Sequence, residues 1–123
     1  MSPLSYESCS LKILAVDDQD FVVQVIEAML AQDGHRVATF TRGEDALAEF
    51  VAGSWNVVLT DREMPGMDGE RLAEEIKQRS PSTPVIMVTG RPPSADYRGV
   101  DAIVEKPFTR DTLVRAITRC LAA

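Results

Sequence analysis

The sequence predicts an α/β fold, a parallel sheet covered by helices on both faces. Three observations carry that expectation. Short apolar runs alternate five times with helix-capable segments, and the connections between them are short. The runs are apolar on consecutive residues, as strands buried on both faces must be. Four of them end on a polar side chain with chemical use: Asp17-Asp18, Asp61, Thr89 and Lys106. In a parallel sheet the C-terminal ends of all strands share one edge, and open α/β sheets place their binding crevice there.

The elements follow in order. Lys12 to Val16 (KILAV) is the first strand and runs straight into the paired acids. Phe21-Val22, Val25-Ile26 and Met29-Leu30 then recur at helical spacing, predicting an amphipathic helix over 19–32 that Asp33-Gly34 closes. Arg36 to Phe40 alternates and is less apolar, as befits a half-exposed edge strand. Thr41-Arg42-Gly43-Glu44 has capping-box spacing, so a second helix is expected from there, with Ala46, Leu47, Phe50 and Val51 as its buried stripe and Gly53-Ser54 as its end. The central strand, 56–60, delivers Asp61 into the turn-rich Met64-Pro65-Gly66-Met67-Asp68-Gly69. Leu72, Ala73 and Ile76 mark a third helix, with Lys77 and Arg79 complementing its C-terminal dipole and Pro81 stopping it. Residues 84–89 (PVIMVT) form the fourth strand. In the 90–101 stretch Pro92-Pro93 can open a helix but cannot sit inside one, which leaves a shortened or irregular fourth helix before Gly99. Ala102 to Glu105 is the fifth strand, and Thr109 caps a last helix whose stripe is Leu113, Val114, Ile117 and Leu121.

Length and charge narrow the function. At 123 residues the chain is one domain, expected at 11–123 behind a flexible leader at 1–10. Acids outnumber bases by 19 to 13, which argues against a direct nucleic-acid surface and suits a divalent cation. No apolar stretch is long enough to span a membrane, and the first ten residues lack a secretion-signal pattern. Cys9 and Cys120 have neither CxxC nor framework spacing, so a reducing cytoplasm is the expected location.

The strand-end residues make one chemical set. Three converging acids without a metal would repel one another; with Mg²⁺, a hard cation that takes carboxylates, waters and phosphate oxygens, they make sense. Asp61, on the central strand, is then free to attack phosphorus and form an acyl phosphate. Phosphoryl oxygens need positive charge and donors, which Lys106 and Thr89 supply.

On these marks the chain resembles the receiver domain of the two-component response-regulator family. The resemblance runs from Leu11 to Leu121 and rests on Asp17-Asp18, Asp61 in TDREMPGMDG, Thr89 followed by Gly90, and Lys106-Pro107-Phe108. It implies a flavodoxin-like, doubly wound sheet of order 2-1-3-4-5. It implies that Asp61 is the phosphoacceptor, that Asp18 binds Mg²⁺ directly with Asp17 aiding through water, and that the backbone carbonyl of Glu63 is a further ligand. Thr89 would turn toward the phosphoryl group, Lys106 would pair with it, and the Lys106-Pro107 bond would be cis. The donor would be a phosphohistidine on a sensor histidine kinase or histidine phosphotransfer protein. The readout would be a downstream effector protein or an output domain, or a phosphorylation-linked homodimer. Such a domain is a signalling phosphoacceptor with slow autodephosphorylation and not a metabolic enzyme. The pattern departs in two places: Ile103 stands where the family often has an aromatic switch residue, and 90–101 is short.

Two alternative readings compete with this one. Asp18-Gln19-Asp20-Phe21-Val22 fits the DxDx[TV] motif of haloacid dehalogenase-like phosphatases, which would make Asp18 the nucleophile but leave Asp61 without a task. A receiver-like module that binds partners without phosphorylation would not need all five site residues. Among the rest, Met64 and Met67 are expected to pack the loop. His35 is expected at the far end of the sheet, away from any chemistry. Glu63 and Arg91, two residues beyond Asp61 and Thr89, border the site and are candidates for tuning hydrolysis.

Overall fold

The computed structural model describes residues 5–7, 9–91 and 99–122. Among these described residues nine elements follow in the order β1 (Lys12–Val16), α1 (Asp20–Gln32), β2 (Arg36–Phe40), α2 (Gly43–Glu49), β3 (Val57–Thr60), α3 (Gly69–Arg79), β4 (Val85–Thr89), β5 (Ala102–Glu105) and α4 (Arg110–Ala122). The strands form one sheet in the order β2-β1-β3-β4-β5, and every pairing is parallel. The doubly wound order is therefore the expected one, with β2 as the half-exposed edge. The expected shortened fourth helix falls mostly on 92–98, outside the described residues.

Strand periodicity explains the two cores. Successive side chains point to opposite faces, so Ile13, Ala15, Leu59, Ile86 and Val88 meet Val23, Ile26 and Leu30 of α1 and Leu113 and Ile117 of α4. Leu14, Val16, Val58 and Val85 meet Ala46 and Leu47 of α2 and Leu72, Ala73 and Ile76 of α3 on the other side. Each helix contributes one apolar stripe and each central strand contributes to both layers, which is why β3 and β4 are buried at every residue.

Two local expectations are corrected. The capping box does not form: Arg42 and not Thr41 is the N-cap of α2, with no side-chain cap bond. The start of α2 is set by packing, since a Cβ at Gly43 would lie 2.9 Å from the Met67 carbonyl oxygen. That helix also ends at Glu49, because Phe50 turns to extended backbone and enters the core, which leaves Val51 exposed instead of in the buried stripe. Within the segment expected as a leader, Tyr6 is described and makes specific contacts. Its ring is buried, packs edge-on to His35 at 4.4 Å and sends its hydroxyl to Asp33. An aromatic ring with a polar tip can do both jobs at once.

Candidate functional site

The strand ends build the site. Backbone bonds carry each chain exit to a common level: Asp17 N–H donates to Phe40 carbonyl at 3.1 Å, Asp61 N–H to Val16 carbonyl at 2.9 Å, and Lys106 N–H to Thr89 carbonyl at 2.8 Å. Residues from β1, β3, β4 and β5 thus meet although up to 89 positions separate them in the chain. The carboxylates of Asp17, Asp18 and Asp61 come within 4.8 Å of one another. Lys106 lies among them, its Nζ 2.7 Å from Asp17 Oδ2 and 3.5 Å from Asp61 Oδ1.

Burial differs across this set. Asp17 is 2% exposed and holds the Gln19 N–H at 2.9 Å as well as the lysine, so it is the structural anchor. Asp18 is exposed and open to incoming ions. Asp61 is 8% exposed and accepts the Arg62 backbone N–H on Oδ1 at 2.8 Å. Beside Asp18 opens a cleft of about 430 Å³ lined by Thr41, Arg42, Pro65 and Gly66.

Electrostatics follow from this crowding. Burial pushes the Asp61 carboxyl above the usual carboxylate range and the charges of Asp17 and Asp18 add to it, while Lys106 and the Arg62 N–H oppose. Burial works against the Lys106 ammonium, yet its bond to Asp17 and the charges of Asp17 and Asp61 outweigh that and hold its pKa above the ordinary lysine value. Two unit charges about 4.8 Å apart repel by roughly 3 kcal/mol at an effective dielectric of about 20. Among the described residues one ammonium stands against three carboxylates, which leaves the cluster short of positive charge, and its donor atoms are all oxygens. That donor set fits Mg²⁺.

Thr89, 2% exposed, ends β4, and its hydroxyl is engaged with Arg91: Oγ1 accepts the Arg91 N–H at 3.1 Å and faces the Arg91 carbonyl at 3.4 Å. Glu63 is exposed, with its carboxylate 4.0 Å from Arg91 Nη1. The Lys106–Pro107 peptide is cis. Met64 is buried in the α2–α3 core and Met67 packs on it, as loop packing requires. His35 sits just before β2, at the opposite end of the sheet. The phosphatase reading loses its second acid, because Asp20 opens α1 and binds Gln24 at 2.6 Å, apart from the carboxylate cluster.

Sequence reasoning assigned no task to Arg62, Asp68 or Gly69. Asp68 caps α3 by accepting the Arg71 N–H at 2.8 Å. Gly69 allows α3 to start against the strand: a Cβ there would fall 1.9 Å from the Asp61 carbonyl oxygen. Asp68 as a cap three residues before Arg71 was readable in principle; the close approach at Gly69 was not, because it depends on tertiary distance.

The comparisons with known proteins agree with this geometry. The family model described as "Response regulator receiver domain" matches residues 13–118. The DNA-binding transcriptional regulator NtrC of Salmonella typhimurium is 36% identical over 115 residues, covering 89% of this chain and 24% of that protein. The sensory transduction protein RegX3 of Mycobacterium tuberculosis is 33% identical over 114 residues, covering 89% of this chain and 50% of that protein. The chain thus spans between a quarter and a half of the length of these relatives. Among solved structures, the BeF3-activated DrrB receiver domain superposes with a TM-score of 0.82 at 31% identity, covering 94% of this chain and all of that one. The response regulator TrrA of Thermotoga maritima in complex with Mg(2+)-BeF gives 0.80 at 30% identity, covering 90% and 99%. With its fold, its strand-end constellation and its family match all in accord, the chain belongs to the response regulator receiver domain family.

Proposed function

We propose that this chain is the phosphoacceptor of a two-component phosphorelay, with Asp61 as the residue that takes the phosphoryl group. The observation that carries the reading is the placement of Lys106 Nζ between Asp17 and Asp61, at 2.7 and 3.5 Å, with Asp18 completing the acid cluster. A carboxylate oxygen of Asp61 attacks the phosphorus of a phosphohistidine; the new O–P bond forms as the P–N bond breaks, and the departing imidazole takes a proton from solvent. The Lys106 ammonium pairs with the phosphoryl oxygens and the Arg62 N–H, already on Oδ1, holds the acceptor in place. Thr89 supplies the hydroxyl donor. Asp17, Asp18 and Asp61, with the Glu63 carbonyl, would hold Mg²⁺, which when bound neutralises phosphoryl charge.

The donor is a sensor histidine kinase or a histidine phosphotransfer protein, and the output is an effector protein, an attached output domain or a phosphorylation-linked homodimer. The relatives NtrC and RegX3, by their names a DNA-binding transcriptional regulator and a sensory transduction protein, support a regulatory role. Among the described residues no helix is long and apolar enough to cross a membrane. Turnover of the acyl phosphate is slow self-hydrolysis, the behaviour of a switch. Incubation with acetyl phosphate and Mg²⁺ tests the reading by intact mass. The expected result is the gain of one phosphoryl group, lost on chelation and lost in Asp61→Asn; no gain, or a gain that persists in Asp61→Asn, overturns it.

A further inference from the structure

Arg62, next to the acceptor, has a side chain that does not point at it. Its backbone N–H donates to Asp61 Oδ1 at 2.8 Å, and its carbonyl accepts the Gly69 N–H at 2.8 Å, so its main chain is clamped between the acceptor and the start of α3. From there the guanidinium reaches sideways. Nε donates to Glu70 Oε1 at 3.2 Å and Nη1 donates to the Arg91 carbonyl at 3.2 Å. That carbonyl belongs to the same peptide segment that occupies the Thr89 hydroxyl, which accepts the Arg91 N–H at 3.1 Å and faces the Arg91 carbonyl at 3.4 Å. Arg62 therefore grips the peptide that fixes the Thr89 rotamer, from a position covalently adjacent to Asp61.

We infer that Arg62 is a positioning residue for Thr89: it latches the β4 exit in the resting arrangement, and phosphorylation of Asp61 must work against that latch. The inference rests on the phosphoacceptor reading above. A phosphoryl group on Asp61 adds acceptor oxygens beside a hydroxyl whose proton is turned toward the Arg91 carbonyl. For Thr89 to donate to the phosphoryl group it must leave that carbonyl, and it leaves more readily if the Arg91 segment can move. Glu70 sets the guanidinium in place, with both side chains partly exposed, at 31% for Arg62 and 42% for Glu70. A contact present in one of two states biases the equilibrium by its own differential free energy, and a single partly exposed charged hydrogen bond is a modest one.

Beryllofluoride with Mg²⁺, a phosphoryl mimic, is the probe. Titration calorimetry of the wild-type chain first measures its affinity, and failure of the wild type to bind overturns the phosphoacceptor reading and the latch together. With binding established, Arg62→Ala is expected to bind beryllofluoride about three- to tenfold more tightly. Glu70→Gln, which keeps the Arg62 side chain but loosens its placement, moves affinity in the same direction by a smaller factor and guards against a folding defect in the first variant. Because the latch acts through Thr89, the gain from Arg62→Ala disappears in a Thr89→Ala background. A spectroscopic sign accompanies it: in unliganded Arg62→Ala the Thr89 methyl resonance shifts along the line joining the free and beryllofluoride-bound positions of the wild type. Unchanged affinity in both variants, or a gain that survives Thr89→Ala, overturns the latch while leaving the phosphoacceptor intact.

Discussion

Charging Asp61 costs the fold. Burial and the neighbouring charges of Asp17 and Asp18 raise its pKa above the ordinary value of 3.8, against the pull of Lys106. The folded chain therefore binds that proton more tightly than the unfolded chain does. Stability falls as pH rises from 3.8 through the raised folded pKa, and stays lowered at neutral pH. Asp61→Asn removes the charge and keeps an oxygen for the Arg62 N–H. In chelator at pH 7 it is expected to stabilise the protein by about 1 kcal/mol, a gain that shrinks as pH falls through the raised folded pKa, is gone below 3.8, and is read by thermal melts. Added Mg²⁺ should raise the wild-type melting temperature more than that of the variant, since the variant has lost a ligand. A variant no more stable than wild type at pH 7 would mean that Lys106 fully offsets the acid crowding.

At the scale of elements, the decisive contact is the one between the start of α3 and the end of β3. Gly69 N–H donates to the Arg62 carbonyl at 2.8 Å, and a Cβ at Gly69 would sit 1.9 Å from the Asp61 carbonyl oxygen and 2.9 Å from its carbon. The obstruction is backbone, so no side chain can swing away to relieve it. Gly69→Ala is expected to cost about 3 kcal/mol in denaturant titration and to cut acetyl-phosphate labelling of Asp61, because the strand end itself must shift. Asp68→Ala, which removes only the cap bond to Arg71 at 2.8 Å, should cost about 1 kcal/mol and leave labelling near wild type. The two variants one residue apart thus separate a cap from a close approach. An equal effect on labelling from both would show that the helix start, and not the backbone contact, positions Asp61.

For the molecule as a whole, the end of the sheet away from the site carries a second polar cluster. Tyr6 donates to Asp33, Arg110 of α4 pairs with Asp33 at 2.6 Å, and His35, 5% exposed, accepts the Leu11 N–H on Nδ1 at 3.0 Å. This cluster ties the N-terminal segment, the end of α1 and the start of α4 together across the chain. Burial holds the His35 pKa below 6.5, although the Asp33 charge pulls it upward. The unfolded chain binds the histidine proton more readily than the folded one, so stability rises with pH across this range and declines as pH falls below 6.5. The histidine's share of the melting temperature should therefore drop between pH 7 and pH 5, so that wild type loses stability relative to His35→Gln as pH falls across that range. A His35→Gln profile with the same slope as wild type between pH 7 and pH 5 would contradict the neutral, bonded histidine.

Much of this was legible from the amino-acid order alone. Strand–helix alternation and apolar runs determined the parallel α/β class, and polar residues at four strand ends marked Asp17, Asp18, Asp61, Thr89 and Lys106 before any coordinates. Hydrophobic period and chain direction are local properties, and in a parallel sheet they suffice to put strand ends on one edge. What the sequence could not carry was anything set by distance between segments. The Arg42 cap in place of Thr41, the early end of α2 that exposes Val51, and the burial of Tyr6 all depend on what packs alongside. The Arg62 bridge to Glu70 and Arg91, and the Lys106 ammonium lodged 2.7 Å from a buried Asp17, are likewise products of tertiary folding. Side-chain partners and the fields they create arise only when remote residues are brought together and water is removed, so charge balance and contact geometry at this site belong to the folded molecule.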